Sequence, residues 1–361
     1  MWDLCYNKLN MINVKMNIRN LKLAELTDLM LKAGFPKFRA WQIYKWLSDV
    51  SVVSFDQMTN LPLGLRDFLK QTFNLNSLTL QKVLTSRDES TTKFLFKLPD
   101  GNLIESALMK YKYGYSVCVS TQVGCRMGCA FCVSGMSGFV RNLEASEILE
   151  QVVLAQKFAG TRIGRVVLMG IGEPLDNFEN VARFSELVSS PEGLNIGQRN
   201  ITLSTAGLVE RIYDLMRLKF QITLSISLHA PNDALRSKLM PVNKTWDLLQ
   251  LIAACREYFE ATHRRVSFEY IMLSGVNDGL KCAAELKKLL AGFPAHVNLI
   301  PANSGRRGFK ASDPQTIKMF QKHLEDLGVQ VTLRRALGSD ISAACGQMRC
   351  IVQGGKYGGF E

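Results

Sequence analysis

The sequence predicts an α/β fold in which parallel strands alternate with helices, and two observations carry that reading. Strand patterns at 117–122, 165–170, 201–205, 222–228, 266–273 and 297–301 are each followed by a helical pattern, at 144–158, 177–189, 207–217, 245–262, 278–291 and 313–327. Strand–helix units in series specify a parallel sheet, which right-handed crossovers curl into a barrel or an open sheet. Within the strand at 222–228, Ile222, Leu224, Ile226 and Leu228 alternate with Thr223, Ser225 and Ser227, and His229 follows. One face is therefore apolar and suited to packing under helices, while the other is small and polar and suits a ligand. The strand at 201–205 repeats this, with Thr202 and Ser204 opposite Ile201 and Leu203. In a barrel the chemistry gathers at the carboxyl ends of such strands.

In chain order, residues 1–15 lack strong periodicity, and Met11 and Met16 both precede the first helical pattern, so 1–15 reads as an extension outside the fold. Leu23, Leu26, Leu29 and Met30 recur at helical spacing before Gly34, FRAWQIYKWL gives a second helix and LGLRDFLKQTF a third. Residues 16–75 thus read as a small, basic helical domain. Residues 76–113 read as a β extension: LTLQKVLTS, TKFLFKL and LIESALMKY are strand-like, and the Pro99-Asp100-Gly101 turn joins the last two as antiparallel neighbours. The α/β body occupies 114–345. Its last helix opens with Ser312-Asp313-Pro314 and closes at Gly328, and VQVTLRR at 329–335 adds a further strand. Residues 346–361, ending in GGKYGGFE, read as a flexible tail.

The 361 residues are 47% hydrophobic and 21% charged, which excludes a disordered chain, a collagen-like repeat and a disulfide miniprotein. A net charge of +12 suits a polyanionic partner, nucleic acid first, or simply a basic surface kept for solubility. No stretch approaches the ~18 apolar residues of a membrane span, and MWDLCYNKLNMINVKMNIRN has no apolar signal core, so the expected location is the cytoplasm. Nine cysteines are an odd number, and three crowd into GCRMGCAFC, which suits a metal site better than a disulfide framework.

That segment carries the strongest chemical signal. Cys125, Cys129 and Cys132 form CxxxCxxC directly after the first parallel strand. A structural zinc site wants four ligands, and no fourth cysteine or histidine lies at a finger-like spacing. An iron–sulfur cube tolerates one iron without a protein ligand, and that iron can bind a small molecule. The loop therefore resembles that of the radical S-adenosylmethionine superfamily, which implies a partial (β/α)6 barrel, a 4Fe-4S cluster and S-adenosyl-L-methionine. Met169-Gly170-Ile171-Gly172-Glu173-Pro174 is similar to the superfamily's glycine-rich segment; alone it would be an ordinary strand-to-helix turn, and Leu175 breaks a dinucleotide fingerprint.

Five stretches carry a closer resemblance: IESALMKYKYG, SVCVSTQVGCRMGCAFC, LMGIGEPL, SISLHAPND and DISAACGQM. Together they are similar to the RlmN-type dual-specificity RNA methyltransferases, which act on C2 of an adenosine in 23S rRNA and of the adenosine beside the anticodon in tRNA. The resemblance implies that Cys345 becomes S-methylated, that Cys118 resolves the RNA adduct through a disulfide, and that Glu105 accepts a proton. It also implies that Gly172, Glu173, Ser204, Ser227, Leu228, His229 and Asn303 contact the cofactor. The chemistry explains the two lone thiols: adenine C2 is electron-poor, so the methyl carbon reaches it as a radical carried on one cysteine, and release needs a second thiolate. The resemblance further implies 23S rRNA and tRNA as partners, an electron donor such as flavodoxin or ferredoxin, no membrane and a monomer.

Taken singly, these residues have plainer readings. Cys118 in VCVS reads as an inert core thiol, Cys345 in SAACG as a packing residue, Glu105 as a solvated strand residue and His229 as a loop cap. Cys5, Cys255, Cys282 and Cys350 read as structural or incidental. For RNA, the basic clusters are Arg306-Arg307-Gly308-Phe309-Lys310, Arg334-Arg335 and the helical unit with Lys37, Arg39, Lys45, Trp41 and Trp46. Three rival functions remain open: a Cfr-type adenine C8 methyltransferase, against which Pro174 leans; a non-catalytic iron–sulfur RNA-binding protein; and a radical enzyme for a small molecule.

Overall fold

A computed structural model describes residues 15–135, 138–292, 294–302, 308–335 and 338–341. Cys345 and Asn303, with Arg306 and Arg307, lie outside the described residues. Three helices come first, α1 (Leu23–Lys32), α2 (Phe38–Ser48) and α3 (Leu63–Thr72). Their inward positions, among them Leu26, Met30, Ile43, Leu47, Leu65 and Leu69, bury into a core of their own. A two-residue parallel pairing of Met16–Asn17 with Phe73–Asn74 closes this unit.

Strands β1 (Thr79–Thr85), β2 (Thr91–Lys97) and β3 (Leu103–Tyr111) follow as an antiparallel meander. The meander does not stand apart. It runs through β4 (Gly114–Cys118) into the parallel strands β7 (Ile163–Leu168), β8 (Ile201–Thr205), β9 (Thr223–Ser227), β10 (Val266–Met272), β11 (Ala295–Pro301) and β12 (Gln330–Leu333). The result is one ten-stranded sheet ordered β12-β11-β10-β9-β8-β7-β4-β3-β2-β1. Between β4 and β7, the short strands β5 (Gln122–Gly124) and β6 (Phe139–Asn142) pair with each other.

Helices α4 (Ala145–Ala159), α5 (Phe178–Ser189), α6 (Val209–Arg217), α8 (Leu248–Thr262), α9 (Leu280–Leu289) and α10 (Pro314–Asp326) follow their strands as predicted. The sequence reading missed α7 (Asp233–Leu239), which opens on the Asn232 cap (Oδ1 to the Leu235 N–H, 3.0 Å). Its seven residues are too short for a periodic signal.

Alternation decides which face is which. Val166, Leu168, Ile201, Leu203, Leu224, Ile226, Val297 and Leu299 are buried in the main core beneath the helices. Their neighbours Val167, Met169, Thr202, Ser204, Ser227, His296 and Asn298 are only half-buried. That second, mostly polar face is thus the one not packed under the helices, and the fold is the α/β partial barrel that the resemblance implied, built on the parallel strands that the strand patterns predicted.

The helical unit docks on α4 and α5 through polar contacts. Buried Glu150 accepts from the Asn17 amide (2.5 Å) and from the Ser77 and Leu78 N–H groups (2.7 and 2.9 Å). The Ser146 N–H donates to Asn20 Oδ1 (2.7 Å), and Arg183 pairs with Glu25. No helix among the described residues is long and apolar enough to cross a membrane.

Candidate active site

The cysteine loop is held at its root by the β5–β6 pair. Gly124 adopts φ +81°, and a Cβ there would lie 1.7 Å from the Gly138 carbonyl oxygen, so only glycine permits this closure. The Cys125 N–H donates to that same carbonyl (3.0 Å). At its far side the loop is tied to α7 by the Ala130 N–H, which donates to Leu239 O (2.8 Å). Phe131 packs with Ala206, Leu239 and Met240, and its ring meets the His229 imidazole edge-on at 4.9 Å.

The thiols of Cys125, Cys129 and Cys132 are half-buried and lie close enough for their charges to interact. Burial pushes the Cys125 thiol up to about 12 and Cys129 higher still, so a cation is needed to hold thiolates here. Among the described residues no three His, Cys, Asp or Glu side chains converge on a single ion. Three thiolates suit an iron–sulfur cube, in which each would take its own iron and one iron would keep no protein ligand.

Gln122, which the sequence reading passed over, joins this loop to the glycine-rich segment. Its Oε1 accepts from the Glu173 N–H (2.9 Å), and its Nε2 donates to Asp176 and Asn142 (both 2.8 Å). Gly172 sits at φ +113°, where a Cβ would fall 2.7 Å from Gln122 Cβ. The Glu173 carboxylate is buried and accepts from the Leu175 N–H (3.0 Å) and the Ala206 N–H (2.7 Å). Burial lifts its pKa to about 7 against the pull of these donors.

Ala206 begins the loop after β8, so Glu173 binds two strand ends together. Ser204 and Ser227, on neighbouring strands, bring their hydroxyl oxygens to 3.4 Å. The Leu228 and His229 N–H groups both donate to Glu269 O (3.1 and 3.2 Å). His229 is no simple loop cap: it is buried at φ +58°, and its Nδ1 accepts from the Ile271 N–H (3.1 Å). Burial, aided by the Arg236 charge, holds this imidazole down to about 3, hence neutral.

Two further buried groups escaped the sequence reading. Arg236 on α7 is fully buried and donates to Ala206 O (2.6 Å), Ser227 O and Leu228 O (both 3.2 Å) and Asn243 Oδ1 (2.9 Å). It staples the ends of β8 and β9. Glu269 on β10 accepts from Ser225 (2.8 Å) and Asn298 (2.9 Å), and burial raises its pKa.

Glu105 and Cys118 lie on adjacent strands. Both are buried, and Cys118 stands opposite Ala107, two residues from Glu105 and on the same face. Glu105 is no solvated strand residue, because Lys93 on β2 pairs with it. Ser120 links this pair of strands to the glycine-rich segment, its Oγ donating to Glu105 O (2.5 Å) and accepting from the Ile171 N–H (3.0 Å). Glu105, Cys118, Glu173, Ser204, Ser227 and the cysteine loop thus belong to one end and one face of the sheet.

The barrel and its three-cysteine loop define a radical S-adenosylmethionine enzyme. The superfamily's model matches residues 119–284, and that of the ribosomal RNA large subunit methyltransferase N-terminal domain matches 16–75. A radical SAM methyltransferase from Sphaerobacter thermophilus superposes with a TM-score of 0.89 at 44% identity, covering 92% of this chain and 98% of its own. The proteins named probable dual-specificity RNA methyltransferase RlmN in Desulforamulus reducens and Lachnospira eligens are 49% and 47% identical. These alignments cover 93% and 92% of this chain, and 97% and 95% of the relatives. The chain belongs to the RlmN family of dual-specificity RNA methyltransferases.

Proposed function

We propose that this enzyme methylates C2 of an adenosine in 23S rRNA and of the adenosine beside the anticodon in tRNA. The observation that carries the reading is the pairing of buried Glu105 and Cys118 on one face of adjacent strands, tied through Ser120 to the glycine-rich segment. Cys125, Cys129 and Cys132 are the residues to hold the 4Fe-4S cluster, and Gly172, Glu173, Ser204, Ser227, Leu228, His229 and Asn303 those to hold S-adenosyl-L-methionine.

When bound, these groups supply a methyl group and a carbon radical; the remaining work falls to the chain. Cys345 carries the methyl as a thioether and becomes attached through it to C2. Glu105 takes the C2 proton, and the one electron left on the adduct would be accepted by the cluster that Cys125, Cys129 and Cys132 would hold. The Cys118 thiolate then attacks the Cys345 sulfur, the carbon–sulfur bond breaks toward the base, and protonation of the released carbon gives the methyl product and a Cys118–Cys345 disulfide. The adenine must leave its stack to reach this face. Contact with the RNA falls to the basic helical unit at 16–75, where exposed Phe38 and Trp41 lie under Arg39 and Lys45. The enzyme works in the cytoplasm as a monomer, with an electron donor such as flavodoxin or ferredoxin.

Nucleoside mass spectrometry of 23S rRNA and tRNA, from a host lacking its own enzyme and expressing wild type or Cys345→Ala, tests this. We expect 2-methyladenosine with wild type alone. An 8-methyladenosine product, or no methylated adenosine from cluster-loaded protein, would overturn the C2 assignment.

A further inference from the structure

Lys93 and Glu105 form an ion pair of 2.8 Å whose side chains are 2% and 4% exposed. On the β2–β3 ladder Lys93 stands opposite Ala107 and Leu95 opposite Glu105, so the pair is diagonal on one face. Ala107 in turn stands opposite Cys118. Lys93, Ala107 and Cys118 therefore form a row across three strands, roughly 10 Å long at about 4.8 Å per strand. Ala107, the smallest side chain of that row, stands between Lys93 and Cys118, and Glu105 lies two residues away on the same face. The next residues of β2, Phe94, Leu95 and Phe96, are buried and apolar. A lysine here is out of keeping with its strand. Stability does not account for it either, because a buried ion pair seldom repays its desolvation relative to an apolar pair of the same volume.

We propose that Lys93 is a positioning residue for the proton-transfer step: its ammonium fixes Oε2 of Glu105 and so sets the carboxylate's direction relative to Cys118 across Ala107, so that adenine C2 would be presented between Glu105 and Cys118. The inference rests on the reading of Glu105 as the proton acceptor. It gives Lys93 no part in methyl loading of Cys345 or in RNA affinity, and it confines the effect of its loss to the step after the RNA is attached.

The test uses cluster-loaded full-length enzyme in single turnover with a tRNA transcript. It reads Cys345 S-methylation by peptide mass, RNA–protein adduct on a denaturing gel, and released product. Lys93→Met is expected to keep S-methylation within about twofold, lower product release at least tenfold and accumulate adduct, while Lys93→Arg restores most of the release. Wild-type release from Lys93→Met would overturn the proposal, as would loss of S-methylation in step with product. If Lys93→Met does not fold, Lys93→Gln is read by the same criteria, and Lys93→Met/Glu105→Leu is expected to melt no lower than wild type. Glu105→Gln separates the two readings. Its release of product at the wild-type rate would remove Glu105 as acceptor, whereas a stalled Glu105→Gln beside a fully active Lys93→Met would remove Lys93 alone.

Discussion

Glu173 and His229 show how single side chains at this site are set by their surroundings. Each is buried, and each is served by backbone N–H groups. The neutral imidazole of His229 is required, because its Nδ1 must accept from Ile271. Its pKa lies near 3 in the folded protein against about 6.5 in the unfolded chain, so between these values the unfolded chain holds the extra proton and stability falls as pH drops. The slope approaches about 1.4 kcal/mol per pH unit below 6.5. His229→Asn keeps an acceptor and tolerates the positive φ, and its denaturation midpoint is expected to lose this dependence; parallel pH profiles for the two proteins would contradict the assignment. For Glu173→Gln, which preserves shape but removes charge, S-adenosylmethionine affinity measured by calorimetry is expected to fall at least about tenfold, or about 1.4 kcal/mol. Unchanged affinity would take Glu173 out of the cofactor set.

The elements carrying these residues are joined where the sequence is least informative. Strand and helix periods predicted the parallel strands to within a few residues, because each strand buries one face under a helix and exposes the other. The partner of a buried charge has no such signal. Lys93 reads as one polar position in TKFLF, and only the β2–β3 register brings it to Glu105. Arg236 reads as a helix residue, yet it holds the carbonyls of Ala206, Ser227 and Leu228. Arg236→Met would leave those buried acceptors without their donor, and chemical denaturation is expected to show a loss of about 3 kcal/mol, with the cost shared among several broken bonds. A change under about 0.5 kcal/mol would mean that the strand ends do not depend on this staple.

At the scale of the whole molecule, the antiparallel meander and the parallel strands are one sheet, so Glu105 and Cys118 are built into the same scaffold as Ser204 and Ser227. The sequence made the cysteine loop and the glycine-rich segment plain, because both are local. It did not make plain that 76–113 continues the barrel's own sheet, since pairing between β3 and β4 is a long-range property. The helical unit has a separate core and a polar dock, and it exposes Phe38 and Trp41, the aromatics that the proposed function sets against bases. Trp41→Ala is expected to weaken RNA binding by about 1–3 kcal/mol in a filter or anisotropy assay without changing the melting temperature. Equal binding by both proteins would move the RNA surface elsewhere.

Gln122 couples two segments that are far apart in sequence. Its backbone belongs to the strand that launches the cysteine loop, while its side chain holds the Glu173 N–H and the Asp176 carboxylate. Whatever fixes the loop fixes the platform beside it. The two cannot be varied independently: a change of backbone at one root is carried by a single amide to the other, so the cysteine loop and the glycine-rich turn behave as one mechanical part.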